Sequence, residues 1–203
     1  SQIAILSLMA LFLGRERNIL TRKEGKILAT ALQAIPGQIE TILKQAPTIR
    51  KIAEKYRRAG NFLYLGRGIS YPAALEGALK LKEISYIHAE ACPGGEMKHG
   101  SLALIDKNFP AVFILPKDNV YEKSLANLEE IKARGGPVIA VATAEDKRIE
   151  TLADDVFFIP KTHALLSPLL SIIPLQLFAL YLAESLGRDV DKPRNLAKSV
   201  TVE

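Results

Sequence analysis

An amine, a carboxylate and an imidazole occur within two short stretches of this 203-residue chain, Ala78 to Asp106 and the last thirteen residues, DKPRNLAKSVTVE. Lys80 and Glu83 stand three apart in a helical pattern, so they project from one face about a turn apart. A lysine so placed keeps a carboxylate ionised and steadies an anion developing on a substrate. The same spacing also makes a solvated ion pair worth about 0.2–0.5 kcal/mol, the commoner fate of such pairs. His99 lies among glycines in Gly94-Gly95-Glu96-Met97-Lys98-His99-Gly100, where backbone can approach a neighbour closely. Imidazole suits proton shuttling near neutrality, although a structural or surface histidine fits the same residues. Lys198 sits in a tail that also carries Pro193, Asn195, Val200 and Val202, more than a simple charged fringe. Together these groups could open a sugar, hold its carbonyl and move a proton.

Other chemistry finds less support. His88 and His163 lack a comparable setting, no His-x-x-x-His pair exists and Cys92 stands alone, so no metal site is expected. No charge pattern marks Cys92 as reactive, and it reads as a small buried or half-buried residue. Gly66-Arg67-Gly68 has no third glycine and is no dinucleotide fingerprint. It could cradle a phosphate at a helix start or be a plain strand-to-helix turn.

Composition bounds the partners. The net charge of +5 mildly favours anionic ligands, but the basic residues are dispersed, with Arg57-Arg58 the only adjacent arginines, so no nucleic acid is expected. A single cysteine cannot close an internal disulfide, and a reducing, cytoplasmic location is the simplest expectation. No membrane span is expected either. Ile3 to Leu13 is too short, and Ala164 to Leu182 contains Pro168, Pro174 and Gln176 and reads as a buried helix.

The elements that must position these groups fall into three parts. Residues 1–60 read as consecutive helices, with one apolar stripe of Ile3, Leu6, Ala10 and Leu13, another of Ile27, Ala31 and Ile35, and a break at Pro36-Gly37. From residue 61 to 187 four short apolar runs alternate with helices: Phe62 to Leu65, Ala111 to Leu115, Val138 to Ala142 and Val156 to Ile159. Ser70 is the expected cap of the helix after the first run, and that helix is expected to reach about His88. Unbroken apolar strands separated by helices predict an α/β fold, a doubly wound parallel sheet buried on both faces in a three-layer sandwich. Ligands in such sheets sit beyond the carboxyl ends of the strands, where strand order reverses, which puts Gly66-Arg67-Gly68 and the loop after Leu115 in view. Residues 188–203 form the tail. The chain starts at Ser1 already in helical pattern, as a piece of a longer protein would.

Leu79 to Glu90 (LKLKEISYIHAE), Gly95 to Asp106 (GEMKHGSLALID) and Pro193 to Glu203 (PRNLAKSVTVE) resemble the signatures of the glucosamine-6-phosphate synthase family, the glutamine:fructose-6-phosphate amidotransferases. The similarity covers the whole α/β region and the preceding helices, which look like the end of a first sugar isomerase domain. The resemblance implies that Lys198 forms a Schiff base with fructose 6-phosphate and that Glu83 moves the proton between C1 and C2. It implies that His99 opens the ring in the neighbouring subunit's site, that Lys80 supports the glutamate and that Ala197 offers backbone contact to the sugar. It further implies a homodimer, no cofactor, and a tail that closes the active site. The family's glutaminase domain and its SQSGET-like phosphate loop are absent from these 203 residues, and Cys92-Pro93-Gly94 departs from the family pattern. A noncatalytic sugar-phosphate-binding module is the competing reading. A free-standing phosphosugar isomerase would need its own phosphate loop.

Overall fold

The computed structural model describes residues 2–196. Its centre is a parallel sheet of β1 (Asn61–Gly66), β2 (His88–Pro93), β3 (Ala111–Leu115), β4 (Val138–Thr143) and β5 (Asp155–Ile159), in the order β2-β1-β3-β4-β5. The helices between them are α4 (Ser70–Ser85), α5 (Tyr121–Lys132) and α6 (Lys147–Leu152), and α7 (Ser167–Ser185) follows the last strand. Before the sheet come α1 (Gln2–Glu16), α2 (Arg22–Leu43) and α3 (Ala46–Tyr56).

Alternation along each strand divides the core between two faces. Phe62, Tyr64, Val112, Ile114, Ile139, Val141, Phe157 and Ile159 point towards α2, α3, α4 and α7. Leu63, Leu65, Phe113, Leu115, Val138 and Ala140 point towards α5, α6 and two short 3-10 turns. Phe178 of α7 packs at 5.7 Å from Phe62 and 5.6 Å from Phe157, ring centre to ring centre. Burial of each such ring stabilises the fold by about 1.5–3 kcal/mol. The expected sandwich is therefore present. Ala164–Ser185, the one stretch among the described residues apolar and long enough to cross a bilayer, lies in this core with half of its apolar window buried.

Several local expectations are corrected. The described residues form five strands rather than four, because α4 ends at Ser85 and His88–Pro93 becomes the edge strand β2. Ser70 is not the cap of α4 but its first, buried residue, and Ile69 holds the cap position. The helix α2 runs unbroken through Pro36. A mid-helix proline costs about 3 kcal/mol, and tertiary contacts offset it: Ile35 and Ile42 are buried in the core, and Gln38 Nε2 donates to the Lys161 carbonyl at 2.9 Å. Just beyond α2, Gln45 exchanges two hydrogen bonds with the Phe158 backbone, at 2.7 and 3.2 Å. In α1 the stripe of Ile3, Leu6, Ala10 and Leu13 faces outward, and the helix buries no residue.

Candidate active site

Register fixes where the groups lie. Asn61 pairs with His88 and Gly66 with Pro93, so both strands start at one edge of the sheet and finish at the other. The sixteen-residue α4 begins past Gly66 and returns about 24 Å to the amino edge. Lys80 and Glu83 lie in its second half and Tyr86 caps its end.

Lys80 Nζ donates to Glu83 Oε2 at 2.6 Å and reaches Glu76 at 3.8 Å. The hydrogen bond to Glu83 is the main reason why the Lys80 pKa is raised, with burial opposing it. The Glu83 side chain is 28% exposed and the Lys80 side chain 33%, so the pair is neither sealed in nor fully solvated. Glu83 helps to line a shallow groove of about 480 Å³, together with Lys82, Tyr86, Ile87, His88, Arg194, Asn195 and Leu196.

The far wall of that groove is the C-terminal segment, brought back by its own sequence. Helix α7 closes with a Schellman turn, in which Gly187 N–H donates to Glu184 O at 2.9 Å and Arg188 N–H to Ala183 O at 3.0 Å. Gly187 takes φ +67°, a conformation glycine adopts without a Cβ clash. Asp189 Oδ1 then accepts from the Asp191 and Lys192 amides at 3.0 and 3.2 Å, turning the chain again. Arg194 N–H reaches the Tyr86 hydroxyl at 2.8 Å. Ala197 and Lys198, expected at the sugar, lie outside the described residues.

His99 is elsewhere. Strand β2 carries the chain about 20 Å from the groove to the opposite edge, and a 3-10 turn, Met97–His99, follows there. Fully buried Met97 anchors the turn and Lys98 ties it to Glu130 at 2.8 Å. The His99 side chain is 75% exposed, with Glu96 at 3.9 Å. Within one chain the structure thus brings Lys80 and Glu83 together and leaves His99 apart.

The crevice where strand order reverses, between β1 and β3, is occupied by the protein itself. Arg67 Nη1 donates to Asn127 Oδ1 at 2.9 Å, and the space bounded by Gly66, Arg67, Gly94, Ile114 and Asn127 has no room for a water. A Cβ on Gly94 would stand 3.1 Å from Arg67 Cγ and from Asn127 Oδ1, which explains the glycine there. A second opening of about 520 Å³ lies beyond β3, β4 and β5 and includes Lys117, Thr143 and Lys161. Its Lys117 is 3.7 Å from buried Asp146, which accepts the Tyr121 hydroxyl at 2.7 Å. Burial raises the Cys92 thiol pKa above its ordinary value.

A family model described as the SIS domain matches residues 55–185. The chain belongs to the SIS domain family. This SIS domain is 52% identical, over all of its 203 residues, to a glutamine–fructose-6-phosphate aminotransferase (isomerizing) of Thermus thermophilus, of which it covers 34%. It is 55% identical to the aminotransferase of the same description from Aquifex aeolicus over 181 residues, which are 89% of this chain and 31% of that one. The chain thus spans about a third of the length of the curated relatives it matches. Among solved structures it is similar to the C-terminal domain of glucosamine-fructose-6-phosphate aminotransferase from Francisella tularensis, with a TM-score of 0.85 and 40% identity over 92% of this chain and 53% of that one. A glucosamine-6-phosphate deaminase of Thermotoga maritima shares the fold at a TM-score of 0.69 and 23% identity, over 97% of this chain and 56% of that one.

Sequence reasoning missed Tyr86, Arg188 and Arg194 as site-shaping residues. A helix read through to His88 hid Tyr86 as an interior residue, when it is the last position before the chain turns.

Proposed function

We propose that this chain is the isomerase part of a glutamine–fructose-6-phosphate aminotransferase, converting fructose 6-phosphate to glucosamine 6-phosphate. The observation that carries the reading is the return of the C-terminal segment to α4, which puts Leu196 and Glu83 on one groove, two residues before Lys198 in sequence. The close relatives named for this reaction support it.

In this mechanism the Lys198 amine condenses with the C2 carbonyl of the opened sugar and releases water. Ammonia then displaces the lysine, leaving an imine at C2. A protonated imine withdraws electrons and acidifies the C1–H. Glu83 takes that proton to give an enolamine and delivers a proton to C2, while C1 loses its hydroxyl proton and becomes the aldehyde. Lys80 donates to Glu83 at 2.6 Å and holds the carboxylate in place, and Ala197 offers backbone contact to the sugar. His99 opens the sugar ring, and because it lies at the opposite sheet edge from Glu83 it serves the site of a second copy in a homodimer. Residues 1–60 lead in from a preceding sugar isomerase domain while lending α2 and α3 to this core, 61–187 form the isomerase domain, and 188–203 close the site. No organic cofactor or metal takes part in this scheme.

In the intact polypeptide carrying this chain, Lys198→Ala is expected to abolish glucosamine 6-phosphate synthesis, and borohydride is expected to trap fructose 6-phosphate on Lys198. Retained turnover in the variant would remove the assigned role. Tight calorimetric binding of fructose 6-phosphate with no trapped adduct would instead favour a noncatalytic sugar-phosphate-binding module.

A further inference from the structure

We propose that Tyr86 is the positioning residue that docks the C-terminal segment on α4 and thereby sets where Lys198 acts, an inference that rests on the reaction proposed above. One phenol meets the returning segment in three ways. Its hydroxyl accepts the Arg194 amide at 2.8 Å. Its ring lies 4.3 Å from the Arg194 guanidinium and 5.3 Å from that of Arg188. At such distances a guanidinium is attracted to the negative face of the ring. The two arginines bracket the turn at Asp189, so both ends of the return are held on one side chain.

The backbone of Tyr86 adds an independent reason. It ends α4 at φ +64° and ψ +15°, donating its N–H to the Lys82 carbonyl at 3.2 Å. That left-handed conformation brings a Cβ too close to the following carbonyl oxygen, and glycine or asparagine is its usual occupant. A tyrosine therefore stands where stability alone favours a smaller residue. The conformation throws the ring off the helix towards the segment instead of back along α4. Glu83, three residues earlier, borders the same groove, so the anchor of the tail and the base share one helix end. An error in that anchor displaces the amine relative to the carboxylate.

Tyr86→Gly separates positioning from folding, because glycine relieves the backbone cost. In the intact polypeptide carrying this chain, the thermal midpoint of Tyr86→Gly is expected to change little, the relieved backbone offsetting the lost ring and hydroxyl contacts. Its kcat and its rate of borohydride trapping on Lys198 are expected to fall about 10- to 100-fold, with KM for fructose 6-phosphate changed less. Tyr86→Phe, which keeps the ring and loses the acceptor, is expected to lie between. Trypsin cleavage after Arg188 and Arg194 is expected to accelerate in Tyr86→Gly whatever the chemistry at Lys198. If Lys198→Ala is inactive while Tyr86→Gly turns over within twofold of the parent, the positioning role is overturned. If Lys198→Ala remains active, the proposed reaction fails instead, and the trypsin rate decides docking by itself: an unchanged rate overturns it.

Discussion

At the carboxyl edge of the sheet the gap between β1 and β3 is filled by Arg67 and leaves no space for a water. At the amino edge the end of α4 and the returning segment border an open groove of about 480 Å³. Doubly wound sheets commonly bind ligands at the first kind of place, yet here the polar side chains there bond to one another, Arg67 to Asn127. The second place holds Glu83, partly exposed and bonded to Lys80. The contrast teaches that a fold-level rule names a location that can be tested for vacancy. When a side chain already satisfies the groups there, the chemistry must be sought where polar groups still face open space.

The contrast breaks most visibly at Glu83. Glu83→Gln in the intact polypeptide is expected to lower kcat about 10²–10⁴-fold with little change in KM, measured as glucosamine 6-phosphate formation. An undiminished kcat would move the site away from the amino edge. His99→Asn should be similarly impaired. If the two groups come from different copies, an equal mixture of the two inactive variants after subunit exchange recovers about a quarter of the parental rate, since half the dimers then carry one intact site. No recovery under confirmed exchange would place both groups in one copy.

A smaller effect is expected at the carboxyl edge. Arg67→Ala leaves the Asn127 carbonyl without its donor and should destabilise the protein by about 1–3 kcal/mol in urea unfolding, while turnover of the folded fraction stays unchanged. Lost turnover in fully folded protein would make that crevice functional. The smallest change is expected for Lys80→Met, about 0.3–0.5 kcal/mol for a partly exposed pair. The folded-state pKa of Lys80 is raised by Glu83, so its contribution is complete below the ordinary lysine value and is lost only as pH climbs through the raised one. Unfolding midpoints of parent and variant should therefore differ by a constant amount between about pH 6 and 9 and converge above about pH 10.5.

Strands β1, β3 and β4 were legible because they are buried on both faces and read as unbroken apolar runs, and the half-buried edge strand β5 because Val156 to Ile159 is apolar throughout. Strand β2, HAEACP, escaped because an edge strand buries little more than Ala89 and Cys92 and keeps polar residues at His88 and Glu90. The end of α4 escaped for a related reason, since its left-handed residue is a tyrosine and not the glycine or asparagine that signals a stop. Pro36 misled in the opposite direction, its local cost being outweighed by contacts with residues over a hundred positions away. Lys80 and Glu83 were legible from spacing as a pair, and the acid–base role proposed for them came only with the family resemblance. The path of the tail depends on Arg194 meeting Tyr86 across 108 positions, and no local pattern encodes that.

Arg67 carries one more implication, for thermal-shift measurements. A guanidinium that already fills the switch-point crevice acts as a tethered occupant whose concentration never changes, so stabilisation there is independent of any solute. A ligand entering there must first displace Arg67 from Asn127, so its apparent affinity and the midpoint rise it produces are reduced by that cost. A sugar phosphate that shifts the melting curve of this domain draws its binding energy at least cost from a part of the surface that is already open.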